Sequence, residues 1–356
     1  MDFSRYAETA PEWSLLLEQN PGAPEIGFDL GSDPIQLRSQ ANAQRETMSL
    51  SLYNKMGLDK AVRYTDHVVS THDGQTISLR AYRPATLPEN QAAPALVYYH
   101  GGGMLIGSLD GELLLTALLS KILGLPVIHV CYRHTPEHKH PSQHNDAWSG
   151  LEWVLTHGKE LGIDPSQVSV GGASAGATLA ASVTLAETQL AHKESRAQRI
   201  KGQVLVIPWL VTHEQFPFEL IAGREKCSRV QNADQATLPS SRLDLFTQLY
   251  AAADPNDQYN NFLFAEDHIL GALPKTAIIV HGKDVLRDEG LLYAQRLEGL
   301  GVPTKVHVFQ GLPHAFRLFN DLPQSKRWDA LFAESVLWTL DKNNSGTLKD
   351  QWVIEK

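Results

Sequence analysis

The fragment 168–190 constrains the fold of this chain more than any other part of its sequence. Its apolar, β-branched start predicts a strand, the glycines that follow predict a sharp turn, and residues 177–190 predict a helix. Residues 172–176 read Gly-Ala-Ser-Ala-Gly and fit the G-x-S-x-G pattern of a nucleophile elbow, with Ser174 at its tip. Small residues are needed there because strand and helix nearly touch and the strained turn lifts the hydroxyl outward. Glycine- and serine-rich turns also give this pattern by chance, so other parts of the chain must decide whether Ser174 is a nucleophile.

Strands alternate with helices on both sides of this fragment. The apolar runs that predict buried strands are 95–99, 126–132, 168–170, 204–209, 277–280 and 305–309. Before them, residues 62–82 alternate in hydropathy around a turn at 72–74 and predict a β-hairpin. This alternation predicts an α/β fold with a mostly parallel central sheet flanked by helices.

Two long segments lie outside the alternation. Residues 1–60 contain helical stretches at 10–18 and 34–56 around a turn-rich stretch at 20–24, and residues 210–273 contain no strand pattern. We interpret both as a helical cap over the sheet. The domain organisation that we predict is an N-terminal cap or arm at 1–60, a first core part at 61–209, a cap insertion at 210–273, a second core part at 274–342 and a polar tail at 343–356.

Composition narrows the class of protein. The chain has 356 residues and a formal net charge of −9, so no basic surface favours a nucleic acid as partner. No apolar run is long enough for a membrane span, and the first residues lack the features of a secretory signal. We therefore expect a cytoplasmic protein with Cys131 and Cys227 as free thiols, one disulfide being the alternative. A monomer and a homodimer both remain open.

A nucleophilic serine needs a base, and the base needs an acid that orients it. In elbow-type folds these partners follow the serine in the order acid, then histidine. Asp284 comes shortly after one predicted strand and His314 after the next, so both are predicted at the carboxyl edge of the sheet. Taken singly, Asp284 also suits a helix N-cap and His314 a surface loop. Asp288 is the second candidate for the acid and the better candidate for a helix cap.

The sequence His100-Gly101-Gly102-Gly103 follows the first buried strand. Three glycines let backbone N–H groups face an oxygen with no side chain in the way, and the N–H of Ala175 lies just after the serine. Alone, such a turn more often means flexibility. Together with the serine, acid and histidine in the right order, it favours nucleophilic hydrolysis.

The sequence resembles the hormone-sensitive-lipase-like branch of the α/β-hydrolases. The motifs that carry the resemblance are His100-Gly101-Gly102-Gly103, Tyr132-Arg133-x-x-Pro136-Glu137-His138-x-x-Pro141, Gly172-Ala173-Ser174-Ala175-Gly176, Asp284-Val285-Leu286-Arg287-Asp288-Glu289-Gly290 and His314-Ala315-Phe316. The resemblance implies an α/β-hydrolase fold and a catalytic triad of Ser174, Asp284 and His314. It also implies an oxyanion hole made by Gly102, Gly103 and Ala175, and a mechanism without cofactor or metal.

Three departures from the family pattern concern the floor of the pocket. Ala173 stands where an acidic residue usually precedes the serine, and Ala177-Thr178 replaces a Gly-Asn pair. His134-Thr135 replaces the common Leu-Ala after Arg133. None of them removes a member of the triad, but they make it unsafe to transfer a substrate from relatives.

Histidines crowd the segment that contains His134, His138, His140 and His144. Zinc sites need three or four convergent ligands with support from their neighbours, and the prolines at 136 and 141 break any helix that would align these side chains. We therefore expect no metal site. Glu137 and Asp146 are interpreted as hydrogen-bond partners around Arg133.

The resemblance implies hydrolysis of a small-molecule carboxylic ester through an acyl-enzyme intermediate. The alternatives are an amide or a lactone substrate, an acyl acceptor other than water, and a ligand-binding protein without catalysis on the same fold. The last alternative usually goes with a missing triad member, and all three are present here.

The glycine turns offer no walls for an acyl group, so the cap segments must supply them. The substrate-binding residues that we predict are Met104, Leu105, Trp209, Leu210, Phe216 and Phe218, with Trp13, Leu16, Leu17 and Leu220 as further wall candidates. On this hypothesis the cap sets the preference for acyl chain length and contributes nothing to the acyl-transfer step.

Overall fold

A nine-stranded sheet forms the centre of the computed structural model, which describes residues 1–20, 31, 33–341 and 352–355. The strands are β1 Val62–Ser70, β2 Thr76–Pro84, β3 Ala93–Tyr99, β4 Val127–Cys131, β5 Ile163–Ala173, β6 Ile200–Val206, β7 Lys275–Lys283, β8 Thr304–Pro313 and β9 Trp352–Glu355. Their order in the sheet is β1-β2-β4-β3-β5-β6-β7-β8-β9. The pairs β1–β2 and β2–β4 are antiparallel, and all the others are parallel. The mostly parallel α/β sheet that the sequence predicts is confirmed.

Helices cover both faces of this sheet and also occur in the two segments outside the alternation, residues 1–60 and 210–273. They are α1 Pro11–Gln19, α2 Pro34–Lys55, α3 Leu58–Ala61, α4 Leu113–Leu123, α5 Ser142–His157, α6 Ala175–Lys193, α7 Ser228–Gln231, α8 Ser240–Tyr250, α9 Asp267–Leu270, α10 Arg287–Gly299 and α11 Pro323–Leu340. Within these described residues no helix is long and apolar enough to cross a membrane. Both cysteines, Cys131 and Cys227, are free, as the sequence predicts.

The core lies on both sides of the sheet because the central strands are covered on both faces. Successive side chains of β3 show this directly: Leu96 and Tyr98 pack into one hydrophobic cluster, and Val97 and Tyr99 into the other. All four side chains are buried, which explains why the strand reads as a continuous apolar run.

The two segments outside the alternation flank the carboxyl ends of the strands. The N-terminal segment contains a 3₁₀ turn at Ser4–Ala7 and helices α1 to α3. Residues 210–273 carry α7, α8 and α9 and no strand, as the sequence predicts. Most of the predicted turn at 20–24 lies outside the described residues.

Two expectations about strands are wrong. The predicted polar tail at 343–356 includes a strand, β9, which pairs in parallel with β8. Trp352 stacks on Phe3, and Glu355 accepts hydrogen bonds from Arg327 and contacts His307, so side chains from three elements hold this short strand in place. The strand predicted at 204–209 ends earlier, at Val206, because the chain turns toward the cap at Pro208.

Candidate active site

Ser174 is the single residue between the end of β5 and the start of α6, and its backbone is strained, with φ of 54° and ψ of −123°. Its N–H donates to the Val206 carbonyl at 2.8 Å, which fixes the turn against the neighbouring strand. A Cβ on Gly176 would lie 2.0 Å from the Tyr99 carbonyl oxygen, so only glycine fits there. The partly exposed serine side chain is therefore presented at the carboxyl edge of the sheet.

His314 joins Ser174 to Asp284. Its Nε2 lies 3.1 Å from the Ser174 Oγ, and its Nδ1 lies 2.6 Å from Asp284 Oδ2. The other carboxylate oxygen, Oδ1, accepts the N–H of Leu286 at 2.9 Å. Asp284 is 1% exposed and His314 is 7% exposed, so bulk water reaches neither side chain freely. The three side chains that the sequence singles out are thus within hydrogen-bond reach of one another.

The glycine turn after β3 faces the elbow. Gly102 and Gly103 both have positive φ, 131° and 62°, which only glycine adopts without strain. The Gly102 carbonyl accepts the N–H of Ile106 at 2.9 Å and closes the turn. Across the described residues, the N–H groups of Gly102, Gly103 and Ala175 donate to no protein acceptor. They are available for an oxygen on a bound molecule.

Phe246 of α8 is a site residue that the sequence analysis missed. A Cβ on Gly103 would lie 2.2 to 2.4 Å from three atoms of the Phe246 ring, so the ring packs directly on the Gly103 Cα. Phe246 is buried, which makes the insertion part of the wall beside the glycine turn. No local pattern marks it, because it is one of several apolar residues on α8.

The ring of His100 supports the glycine turn from below. It stacks on Tyr132 at 4.3 Å between centroids, and its Nδ1–H donates to the Gly101 carbonyl at 2.9 Å. The Tyr132 hydroxyl donates to the His100 carbonyl at 2.8 Å. Complete burial lowers the pKa of His100 to about 4, so the ring is neutral at pH 7.

Asp288 does not cap a helix, contrary to the prediction. It lies inside the first turn of α10, where its Oδ2 accepts the N–H of Ser228 at 2.6 Å and its Oδ1 accepts Arg287 Nε–H at 2.7 Å. The carboxylate therefore connects α10 to helix α7 of the insertion. It makes no contact with His314, whose partner is Asp284.

Beside Asp288, Glu289 is buried in an ion pair with Arg229 of α7 and also accepts the N–H of Leu210 at 2.7 Å. Burial raises the pKa of Glu289 to about 7, against the opposing effect of Arg229. Sequence analysis assigned neither residue a role, because the partner lies sixty positions away.

Two of the clustered histidines belong to a buried hydrogen-bond network around Tyr250, at the end of α8. His144 contacts the Tyr250 hydroxyl through Nε2 and the Ser182 hydroxyl through Nδ1, the latter at 2.6 Å. Burial lowers the pKa of His144 to about 3. His140 contacts the same hydroxyl at 3.0 Å through Nδ1 and lies 2.6 Å from Asp257 Oδ2 through Nε2.

We call these residues, together with Asn260, the Tyr250 network. Asn260 accepts the Tyr250 hydroxyl at 2.5 Å and donates to Asp257 at 3.0 Å. The network joins helices α5 and α6 of the core to the insertion.

Of the other two clustered histidines, His134 packs on His100 and Tyr132. In the part of the chain that the structure describes, no group of three or more potential ligands is placed to hold a metal ion.

One of the two predicted partners of Arg133 is wrong. Asp146 accepts from Arg133 at 2.6 Å, as predicted. Glu137 instead accepts a bidentate pair from Arg38 of α2, at 2.6 and 2.7 Å. Arg38 also donates to the Thr135 carbonyl, so this ion pair fixes the N-terminal segment to the loop behind the glycine turn.

All of the predicted substrate-binding residues except Phe218 are buried. Met104, Leu105 and Leu210 have no exposed surface, so they pack beneath the site and do not line an open cleft. Trp209 contacts Tyr250 with ring centroids 5.6 Å apart. Phe216 and Phe218 pack edge to face at 4.9 Å. Their role in binding stays a prediction.

The further wall candidates lie in other places. Trp13 is buried against Phe319, with ring centroids 5.1 Å apart, and Leu16 and Leu17 pack against the same cluster. Leu220 is exposed.

Comparison with known proteins gives matches over most of this chain. A family model described as alpha/beta hydrolase fold matches residues 96–318. Esterase LipI of Mycobacterium tuberculosis is 32% identical to this chain over 249 residues, which cover 67% of this chain and 71% of the relative. Ethyl acetate hydrolase of Pseudomonas putida is 31% identical over 283 residues, covering 78% and 82%.

A solved structure shows the same similarity in three dimensions. The hyperthermophilic esterase from the archaeon Pyrobaculum calidifontis superposes with a TM-score of 0.75 at 28% sequence identity, covering 94% of this chain and 99% of that one. The similarity therefore extends beyond the matched motifs to nearly the whole fold.

Proposed function

The chain belongs to the α/β-hydrolase fold family, in its hormone-sensitive-lipase-like branch, as a carboxylic ester hydrolase, and we propose that it works through an acyl-enzyme formed on Ser174. The observation that carries the proposal is the continuous hydrogen-bonded row from Ser174 through His314 to Asp284, with distances of 3.1 and 2.6 Å. These distances suit a nucleophile, a general base and the acid that orients the base.

In the first half-reaction, Ser174 Oγ attacks the ester carbonyl while His314 Nε2 takes its proton. Asp284 accepts from Nδ1–H of the same ring, which leaves Nε2 as the nitrogen with a free lone pair. The N–H of Leu286 holds the second carboxylate oxygen, so the carboxylate plane is fixed relative to the ring. His314 then returns its proton to the departing alcohol, and Ser174 is left acylated.

In the second half-reaction, water takes the place of the alcohol. His314 removes a proton from the water, which attacks the acyl carbonyl, and then protonates Ser174 Oγ as the acid leaves. The same base serves both halves, so one row of three side chains is sufficient.

The negative oxygen formed in each half needs donors that are already in place. We assign this role to the N–H groups of Gly102, Gly103 and Ala175, which have no other acceptor among the described residues. Backbone donors in a fixed turn stabilise the developing charge without reorganisation, and one such donor is worth about 10²–10³ in rate.

We further propose that the substrates are small-molecule esters with short acyl groups. Phe246 closes the space beside Gly103, and Met104, Leu105 and Leu210 offer no exposed surface for a long chain.

The test of the proposed function is Ser174→Ala together with a fluorophosphonate probe. We expect wild type to be labelled at Ser174 and to hydrolyse p-nitrophenyl acetate, and the variant to lose about 10⁴-fold or more in kcat. Labelling of the variant at another serine would overturn the assignment. A parallel panel of longer esters, an anilide and a lactone separates ester hydrolysis from the amide and lactone alternatives.

A further inference from the structure

We propose that residues 226–232 of the insertion position Asp284 for catalysis, with Ser228 and Asn232 as positioning residues. We call residues 226–232 the clamp and residues 282–286 the acid loop. The inference rests on the proposed function, in which Asp284 orients His314. It replaces the sequence-based hypothesis that the cap takes no part in the acyl-transfer step.

Asn232 holds the acid loop through its backbone. Its side-chain Nδ2 donates to the Asp284 carbonyl at 2.9 Å and lies 3.4 Å from the Gly282 carbonyl. Asn232 is 1% exposed, so bulk water does not compete for its amide. The Asp284 carbonyl also accepts the N–H of Arg287 at 3.2 Å within the same turn, so the bond from Asn232 is the one that ties this carbonyl to the insertion.

Ser228 holds the next residue of the same loop. Its Oγ–H donates to the Val285 carbonyl at 2.8 Å, and its N–H donates to Asp288 Oδ2 at 2.6 Å. The side chain has no exposed surface. One turn of the clamp therefore binds both the acid loop and the first turn of α10.

Arg287, the residue after the acid loop, adds further hydrogen bonds between the loop and the clamp. Arg287 donates to the Gln231 side chain at 2.8 Å, to the Lys226 carbonyl at 3.2 Å and to the Gly282 carbonyl at 3.1 Å. Its charge is met by Asp288 at 2.7 Å. These contacts cross between the clamp and the loop, so neither can shift without the other.

The N-terminal segment closes the opposite side of the acid loop. A Cβ on Gly282 would lie 1.9 Å from the Tyr6 carbonyl oxygen, and Lys283 Nζ donates to Thr9 Oγ1 at 2.6 Å. The loop is therefore held between two segments that are distant in sequence. The clamp supplies, through Asn232, a side-chain donor to the backbone of Asp284 itself.

This arrangement matters because the bond from His314 to Asp284 is short and directional. A misplacement of about 1 Å at a reacting group costs about 10²-fold in rate. Without the amide of Asn232, the Asp284 backbone loses its nearest side-chain donor, and the carboxylate is held less firmly against the ring. We expect the chemical step to slow while substrate binding stays unchanged.

The experiment measures the rate and the extent of fluorophosphonate labelling in Asn232→Ala and Ser228→Ala. A positioning role predicts complete labelling of the folded protein, at a rate reduced about 10- to 100-fold, with kcat for p-nitrophenyl acetate reduced in proportion and KM unchanged. A role in stability alone predicts fewer labelled molecules that react at the wild-type rate. Ser228→Thr keeps the hydroxyl and should restore most of the rate.

Asn261→Ala is the matched control. Asn261 is also a buried asparagine of the insertion, but it bonds the Thr212 N–H and the Pro255 carbonyl, both at 3.0 Å, and not the acid loop. We expect it to lower the melting temperature and leave the labelling rate as in wild type. If Asn232→Ala does not fold, Ser228→Ala carries the test alone.

Two failures are distinguishable. If wild type is not labelled at Ser174, the proposed function is wrong and the inference falls with it. If wild type is labelled and both clamp variants react at the wild-type rate, the inference is wrong and the proposed function stands.

Discussion

The two sides of Ser174 are held by different kinds of contact. On the acid side, Asn232 and Ser228 donate hydrogen bonds to carbonyls of the acid loop. On the oxyanion side, the turn at Gly102 and Gly103 is held by its own left-handed backbone and by the ring of Phe246. The insertion contributes to both sides, through hydrogen bonds on the acid side and through the packing of the Phe246 ring on the oxyanion side.

The difference follows from what each side must do. The carboxylate of Asp284 must point at one nitrogen, and hydrogen bonds to its own backbone fix a direction. The donors of the glycine turn must leave an empty space for an oxygen, and a close-packed ring keeps other atoms away without competing for the N–H groups. A cap that appears in sequence to be only a substrate cover thus supports both sides.

Among the variants that test this comparison, Asp284→Asn is expected to have the largest effect on kcat. An amide in place of the carboxylate favours the wrong tautomer of His314, and kcat should fall by about 10³–10⁴-fold with the fold kept. Circular dichroism and steady-state kinetics on an acetate ester measure the two quantities.

Asp288→Asn is the matched control, since this carboxylate is equally buried but binds Ser228 and Arg287. We expect it to lower stability by about 1.5–3 kcal/mol and to keep activity about 10²-fold above that of Asp284→Asn. The reverse ranking would move the acid role to Asp288 and undo the assignment of the acid side.

A smaller effect is expected on the oxyanion side from Phe246→Ala. Without the ring the Gly103 turn loses its packing partner, and we expect kcat for an acetate ester to fall about tenfold, less than the loss of a whole oxyanion donor. Leu243→Ala on the same helix controls for a weaker α8. Phe246→Leu, which keeps most of the volume, should lie between wild type and alanine. A rise in KM with kcat intact would make Phe246 a substrate wall only.

The smallest effect is expected on the pH dependence of the free energy of unfolding, through His144 of the Tyr250 network. Burial lowers the pKa of His144 to about 3, whereas a histidine in the unfolded chain binds a proton below about 6.5. Between these values the unfolded state binds more protons, so stability falls as the pH falls, by about 1.4 kcal/mol per pH unit for this one group. His144→Gln keeps hydrogen-bonding capacity without titrating.

Urea unfolding at pH 7, 6 and 5 measures this slope for wild type and His144→Gln. We expect the variant to be less stable at pH 7 but to show the shallower slope. Burial also lowers the pKa values of His100 and His281, to about 4 and about 3, so wild type and variant should both retain some slope. Equal slopes would show that His144 does not stay neutral in the fold.

The reacting side chains are predictable from the sequence because each follows a buried strand with a visible apolar run. Parallel strands end at one edge, so Ser174, Asp284 and His314 are brought together by topology alone. The same argument places the glycine turn opposite the elbow. Short-range patterns are sufficient here because strands and turns carry most of the geometry.

The supports of the site are not predictable in the same way. Asn232 and Phe246 lie in an insertion without a repeating pattern, and their partners are fixed only when the segment folds onto the core. Glu137 is a further example. The sequence predicts Arg133 as its partner because the two residues are close in the chain, but Glu137 pairs with Arg38, 99 positions away. Strand β9 has four residues, too few for an alternating pattern to identify it.

That ninth strand has a consequence for self-association. By covering β8, it occupies the backbone groups through which a second molecule would extend the sheet, and it leaves β1 and β9 as the outer strands. Arg327 of α11 holds this strand through an ion pair with Glu355 at 3.0 Å. The four residues of β9 offer a second molecule fewer backbone groups than the ten residues of β8 would, so this short outer strand limits extension of the sheet at this end.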